Sequence, residues 1–76
     1  MDYLEINPKV MLGKPIIKGT RISVEQIIEL MASGFTMDMI LQEYQGIKIE
    51  AIQECLLYAS RVLDKTSVFE LNKIAS

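Results

Sequence analysis

The chain contains 76 residues, half of them hydrophobic, with ten acidic residues, eight basic residues, one cysteine and no histidine. A chain of this length forms a single small domain. The net charge of −2 argues against indiscriminate binding to nucleic acid, and the lack of histidine excludes His-based catalytic triads and His metal clusters.

The same composition bears on assembly and location. A small domain cannot hide this much apolar surface alone, so we expect a homodimer or a permanent protein partner. The single cysteine, Cys55, cannot form an intrachain disulfide and suits a reducing compartment. No secretory signal is evident, because Asp2 and Glu5 replace a basic start. Since no apolar run approaches the roughly 18 residues of a spanning helix, we expect a soluble, cytoplasmic chain without membrane contacts.

The N-terminal part departs from helical patterning. Residues 3–6 alternate weakly and predict a short strand ended by an Asn-Pro pair. Pro15 then excludes a helix, while the following two isoleucines favour a second strand. Gly19 predicts a turn, after which residues 20–22 return as the other arm of a small hairpin. Residues 10–12 are expected to pack on the helices as an apolar linker.

We call residues 9–21 the basic ribbon, and they form the first candidate binding surface. Between residues 9 and 21 there are four basic residues and no acidic one, which fits an anionic nucleic acid or protein partner. The candidate binding residues are Lys14, Lys18, Thr20 and Arg21. Two other readings stay open: a tight connector with solvated charges, and an internal ion pair of Arg21 with Glu25 or Glu29.

Three helices are predicted after the ribbon. Ser23 and Gln26 have the spacing of a capping box at the start of the first helix, and Gly34 ends it. Thr36 caps the second helix, and the third spans about residues 49–64. The predicted inner stripes are Val24, Ile27, Ile28 and Met31 in the first helix, Met37, Ile40, Leu41 and Tyr44 in the second, and Ile52, Cys55, Leu56, Ala59 and Leu63 in the third.

The third helix carries more apolar residues than a three-helix core can absorb. A short amphipathic tail helix is also predicted over residues 66–76, opened by Ser67 and Glu70 as a capping pair. The predicted dimer or partner surface consists of Leu57, Tyr58, Val62 and Phe69. Cys55 is interpreted as a small core residue and not as a nucleophile.

The ribbon also carries a resemblance to a known family. Residues 7–34 read N-P-K-V-M-L-G-K-P-I-I-K-G-T-R-I-S-V-E-Q-I-I-E-L-M-A-S-G. This run resembles the signature of the family called domain of unknown function 433, with its Gly-Lys-Pro-apolar-apolar-x-Gly-Thr-Arg-Ile core and capped helix ending in glycine. The resemblance covers roughly residues 5–60. One departure is Lys48 before the third helix, where the family usually has Ser or Thr, because lysine offers no capping oxygen.

The resemblance implies a fold and a function. Similar proteins are small bacterial and archaeal domains with a three-helix, helix-turn-helix-like fold, and many are thought to be antitoxins encoded beside a PIN-like nuclease toxin. We therefore predict a mainly α, helix-turn-helix/homeodomain-like bundle over residues 1–65, with a short N-terminal β-hairpin and a C-terminal tail helix over 66–76. The expected function is a non-catalytic antitoxin that binds such a toxin and its own promoter DNA.

Two alternatives remain at this point: a stand-alone DNA-binding regulator, and a purely protein-interaction or structural dimer module. A regulator would use the basic ribbon, because the outer face of the third helix carries Glu50, Glu54 and Asp64 against Arg61 alone. Such a face loses Coulomb energy beside phosphates.

Enzymatic readings find little support in the residues. Carboxylates at helical spacing, such as Glu25 and Glu29, lie on faces predicted to be solvated. Gly13-Lys14 lacks the rest of a phosphate-binding loop. We therefore predict no catalytic residue, no cofactor and no metal site.

Overall fold

The computed structural model describes residues 1–65, and they form a mainly α domain with a small antiparallel sheet. The elements are β1 (Leu4–Ile6), a 3₁₀ turn (Met11–Gly13), β2 (Pro15–Ile17), α1 (Val24–Ala32), α2 (Met37–Glu43) and α3 (Ile49–Lys65). The predicted fold class is confirmed. The predicted tail helix over residues 66–76, together with Phe69, lies outside the described residues.

The core lies where α3 meets the sheet and the other two helices. The side chains of Ile27, Ile40, Ile52 and Cys55 are fully buried, so each helix contributes to one shared interior. The buried core residues are Leu4, Ile17, Val24, Ile27, Ile40, Ala51, Ile52 and Cys55. Burial of such aliphatic side chains is the main stabilising term of a domain this small, at about 1.5–3 kcal/mol each.

Two of the helix starts follow the predicted capping chemistry. The Ser23 Oγ accepts a hydrogen bond from the Gln26 backbone N–H at 3.0 Å, and the Thr36 Oγ1 accepts one from the Met39 backbone N–H at 3.2 Å. A capping box also predicts that the Gln26 side chain accepts a hydrogen bond from the Ser23 backbone N–H, and this part of the prediction was wrong. Its Nε2 donates instead to the Tyr44 hydroxyl at 2.8 Å, so Gln26 joins α1 to the C-terminal end of α2.

The strand pairing also differs from the prediction. β2 pairs with β1, with Leu4 opposite Ile17, and not with residues 20–22 as a regular second arm. Those residues form a tight turn, in which the Ile17 N–H donates to the Ile22 carbonyl at 2.9 Å. A single bridge between Ile16 and Ser23 continues this contact. The N-terminal strand prevails because it brings a buried leucine onto the core face of the sheet.

Two predicted core contacts were wrong. Met11 and Leu12 adopt positive φ values of 52° and 57°, and the turn they form leaves Leu12 96% exposed instead of packed on the helices. Leu63, predicted as inner, is 71% exposed. The reason is helix length: α3 has 17 residues and α1 has nine, about 25 Å against about 13 Å.

The Ser23 cap supplies a stability prediction. Ser23→Ala removes the oxygen that binds the Gln26 N–H and should lower the free energy of unfolding by about 1 kcal/mol. Urea denaturation at one fixed protein concentration measures the change. Ser60→Ala is the matched control, because Ser60 is exposed within α3 and should change stability by less than about 0.5 kcal/mol. Equal effects of the two substitutions would contradict the capping role.

Candidate functional site

The turn after β2, residues 17–22, presents part of the predicted basic ribbon on a constrained backbone; we call it the basic turn. Gly19 has a φ of 76°, a conformation that a side chain would strain. The Thr20 hydroxyl donates to the Ile17 carbonyl at 2.7 Å and accepts from the Ile22 N–H at 3.0 Å. The hydroxyl of Thr20 is therefore engaged in holding the turn, while Lys18 and Arg21 are exposed.

Lys14 is placed differently from the other cations. Its Nζ lies 3.0 Å from the Glu25 Oε1, and both side chains are at least half exposed. An ion pair with this exposure contributes about 0–1 kcal/mol. Across residues 1–65 it is the one ion pair that forms, so the alternative pairing of Arg21 with Glu25 or Glu29 is not made there.

Lys48 joins the basic turn in space. Lys18, Thr20 and Lys48 line one small hollow of about 150 Å³, together with Asp2 and the corner at Gly46. The first turn of α3 begins at the next residue, and a helix N-terminus carries partial positive charge. The sequence indicates Lys48 only as a missing cap, because its nearness to Lys18 depends on how α3 packs against β1, the strand that pairs with β2.

A second polar contact, which the sequence analysis missed, attaches the N-terminus to α3. The Glu54 carboxylate accepts the backbone N–H of Asp2 at 3.0 Å and that of Tyr3 at 2.6 Å. These bonds join residues more than 50 positions apart, and helical spacing alone placed Glu54 on a solvated face. No local signal in the sequence indicates this role.

The larger concave surface is apolar and lies between α1 and the C-terminal half of α3; we call it the apolar groove. It has a volume of about 430 Å³. Its lining residues are Pro15, Val24, Glu25, Ile28, Glu29, Tyr58, Ala59, Val62 and Leu63. Two of the predicted partner-surface residues, Tyr58 and Val62, therefore lie in it, whereas Leu57 is exposed outside it.

The chemistry of Cys55 agrees with a core role. Burial, with a smaller contribution from the Glu54 charge, raises the pKa of the Cys55 thiol to about 11. The thiol is therefore protonated at neutral pH, and a thiol in that state is a poor nucleophile and metal ligand. Among the residues that the structure describes, no group of three His, Cys, Asp or Glu side chains could hold a metal ion.

Comparison with known families identifies the chain. The family model described as "Protein of unknown function (DUF433)" matches residues 4–59, which contain both strands and most of the three helices. The chain belongs to the DUF433 family. The resemblance read from the Gly-Lys-Pro and Gly-Thr-Arg run is thereby confirmed. No curated protein matches this DUF433 chain.

A solved structure supports the fold. The crystal structure of a DUF433 member protein from Anabaena variabilis ATCC 29413 superposes with a TM-score of 0.79 at 23% sequence identity. The match covers 86% of this chain and 64% of that chain, so this chain spans less than two thirds of its neighbour's length. None of the described helices of this DUF433 protein is long and apolar enough to cross a membrane.

The Glu54 contact gives a second prediction. Glu54→Gln removes the negative charge that accepts two backbone N–H groups and should lower the free energy of unfolding by about 1–2 kcal/mol. The Tyr3 amide should also exchange its hydrogen faster, which NMR can follow directly.

The matched control is Glu50→Gln, one helical turn earlier on α3 and exposed. It should leave both the stability and the exchange of the Tyr3 amide nearly unchanged. Unchanged Tyr3 exchange in Glu54→Gln would contradict the proposed attachment.

Proposed function

We propose that this DUF433 protein is a non-catalytic, antitoxin-like protein that neutralises a PIN-like nuclease by binding it through the basic turn. The observation that carries the proposal is that the charges of Lys18 and Arg21 are accessible to a partner. Both are exposed, and neither forms an ion pair with any residue from 1 to 65. Lys14, by contrast, forms an ion pair with Glu25.

The partner chemistry follows from these cations. Metal-dependent nucleases of the PIN type bind their metal through clustered carboxylates, which form an anionic target. An arginine can bind a carboxylate through two parallel hydrogen bonds, a geometry that lysine cannot offer. Because Thr20 and Gly19 already constrain the turn, little backbone freedom is lost when Arg21 docks.

The non-catalytic part of the proposal rests on the available side chains. The Cys55 thiol is buried and its pKa is raised to about 11, and the chain has no histidine. Glu25, one of the two carboxylates on α1, already pairs with Lys14. A binding role needs none of these groups to react.

Binding of promoter DNA is a second candidate, favoured by the meeting of Lys18 and Lys48 at one hollow beside the start of α3. The basic turn would then contact phosphates, as a positively charged edge does in non-specific association. α3 is poorly suited as a reading helix because its exposed face carries Glu50 and Asp64, which phosphates repel. The protein partner therefore remains the primary proposal.

The proposal predicts that a PIN-like nuclease is encoded beside this protein's gene. The test uses that nuclease and follows RNA cleavage as the purified chain is added. Wild-type protein should suppress cleavage and form a stable complex. Lys18→Ala/Arg21→Ala should weaken the complex by about 100-fold, the loss of two charge-assisted contacts. Lys9→Ala, which removes an exposed cation outside the basic turn, should bind like wild type.

Each contrary outcome is informative. A nuclease that is neither bound nor inhibited would overturn the proposal, as would equal affinity of wild type and the double variant. The DNA candidate is tested separately by fluorescence anisotropy with the promoter duplex and a scrambled duplex at two salt concentrations. A preference for the promoter that weakens with salt supports it, and equal binding to both duplexes rejects it.

A further inference from the structure

The C-terminal half of α3 presents a ridge beside the apolar groove. Tyr58 and Val62 line the groove on one side and also line a neighbouring hollow of about 280 Å³ on the other, together with Met1 and Arg61. The two residues are four positions apart and therefore stack along one row of the helix surface. We call this row the ridge.

Charges of opposite sign flank the two sides of this surface. On the groove side, α1 contributes Glu25 and Glu29. On the far side of the ridge, α3 contributes Arg61. We call Glu25 and Glu29 the acidic wall. Across the surface, the order is therefore the acidic wall, the apolar groove, the ridge and then Arg61.

We propose that this surface binds a second copy of the same chain, with the ridge of each protomer seated in the groove of the other. A two-fold axis running along α3, between ridge and groove, exchanges these two features between the copies. The same operation brings Arg61 of one protomer beside the acidic wall of its partner. An isologous interface requires this kind of self-complementarity, and ridges entering grooves is the usual way that helices pack.

Charge complementarity selects a second copy over an unrelated partner. A basic amphipathic segment would satisfy Glu29 but would leave Arg61 facing no acid. The same patch carries both signs in the order that a two-fold axis needs. Glu29 is exposed and forms no ion pair within residues 1–65, since Lys14 pairs with Glu25. Glu29 is therefore the expected partner of Arg61 across the interface.

The exposed apolar residues of the groove and the ridge also favour a second copy of the chain as the partner. Leu63 is 71% exposed on the groove and Val62 is 44% exposed on the ridge. Exposed apolar residues gathered in one patch and rimmed by charge are typical of protein interfaces. The inference is independent of the proposed nuclease binding, which uses the basic turn.

Analytical ultracentrifugation of the full chain across a wide concentration range tests the proposal. Wild type should sediment as a species of twice the 8.6 kDa chain mass. Arg61→Glu and Glu29→Arg should each weaken dimerisation by at least about tenfold, because like charges then face each other. The double exchange, Arg61→Glu with Glu29→Arg, should restore the dimer.

Glu50→Arg is the matched control, since it reverses an exposed charge on α3 away from the groove, and it should leave the mass unchanged. A wild-type protein that stays monomeric at every concentration would overturn the proposal and assign the groove to another occupant, such as the nuclease or residues 66–76. A dimer that tolerates both single reversals, or that the double exchange fails to restore, would overturn it equally. Circular dichroism of each variant verifies that the helices remain formed.

Discussion

The structure depends on the burial of one face of α3 against α1, α2 and β1. Ala51, Ile52 and Cys55 are buried, and α3 contacts α1, α2 and β1. Because α1 is about half as long as α3, this burial ends before α3 does. Within residues 1–65, the C-terminal turns of α3 that extend beyond α1 form one side of the apolar groove and the ridge.

Polar side chains form further contacts that hold the elements of the fold together. Glu54 binds the N-terminal backbone to α3, Gln26 joins α1 to Tyr44, and Lys14 pairs with Glu25 across the end of β2. Each of these contacts engages a group that the sequence alone leaves available for binding. Of the three cations predicted to bind a partner, Lys14 is paired, whereas Lys18 and Arg21 are exposed and form no ion pair within residues 1–65. For this reason we assign partner binding to Lys18 and Arg21.

Local chemistry in the sequence was sufficient to predict the helices. Ser23 and Thr36 cap two of them as expected, and the fully buried Ile27, Ile40 and Ile52 lie on the predicted stripes. The family, too, could be recognised from the Gly-Thr-Arg run.

The errors share a different physical origin. The pairing of β1 with β2, the exposure of Leu63 and the contacts of Glu54 all depend on partners distant in sequence. Periodicity reports which face of an element is apolar, but it does not report how far the neighbouring element extends. The left-handed turn at Met11 and Leu12 is equally hidden, because those residue types disfavour such a backbone.

We propose that the protein contacts its partner through the basic turn and not through the outer face of α3. The most direct measurement is a two-dimensional NMR titration of the isotope-labelled full chain with the unlabelled nuclease, followed at each backbone amide. We expect the first and largest chemical-shift changes at the amides of Gly19, Arg21 and the neighbouring Lys48. Shifts confined to the amides around Glu50 and Gln53, with the basic turn unchanged, would contradict it.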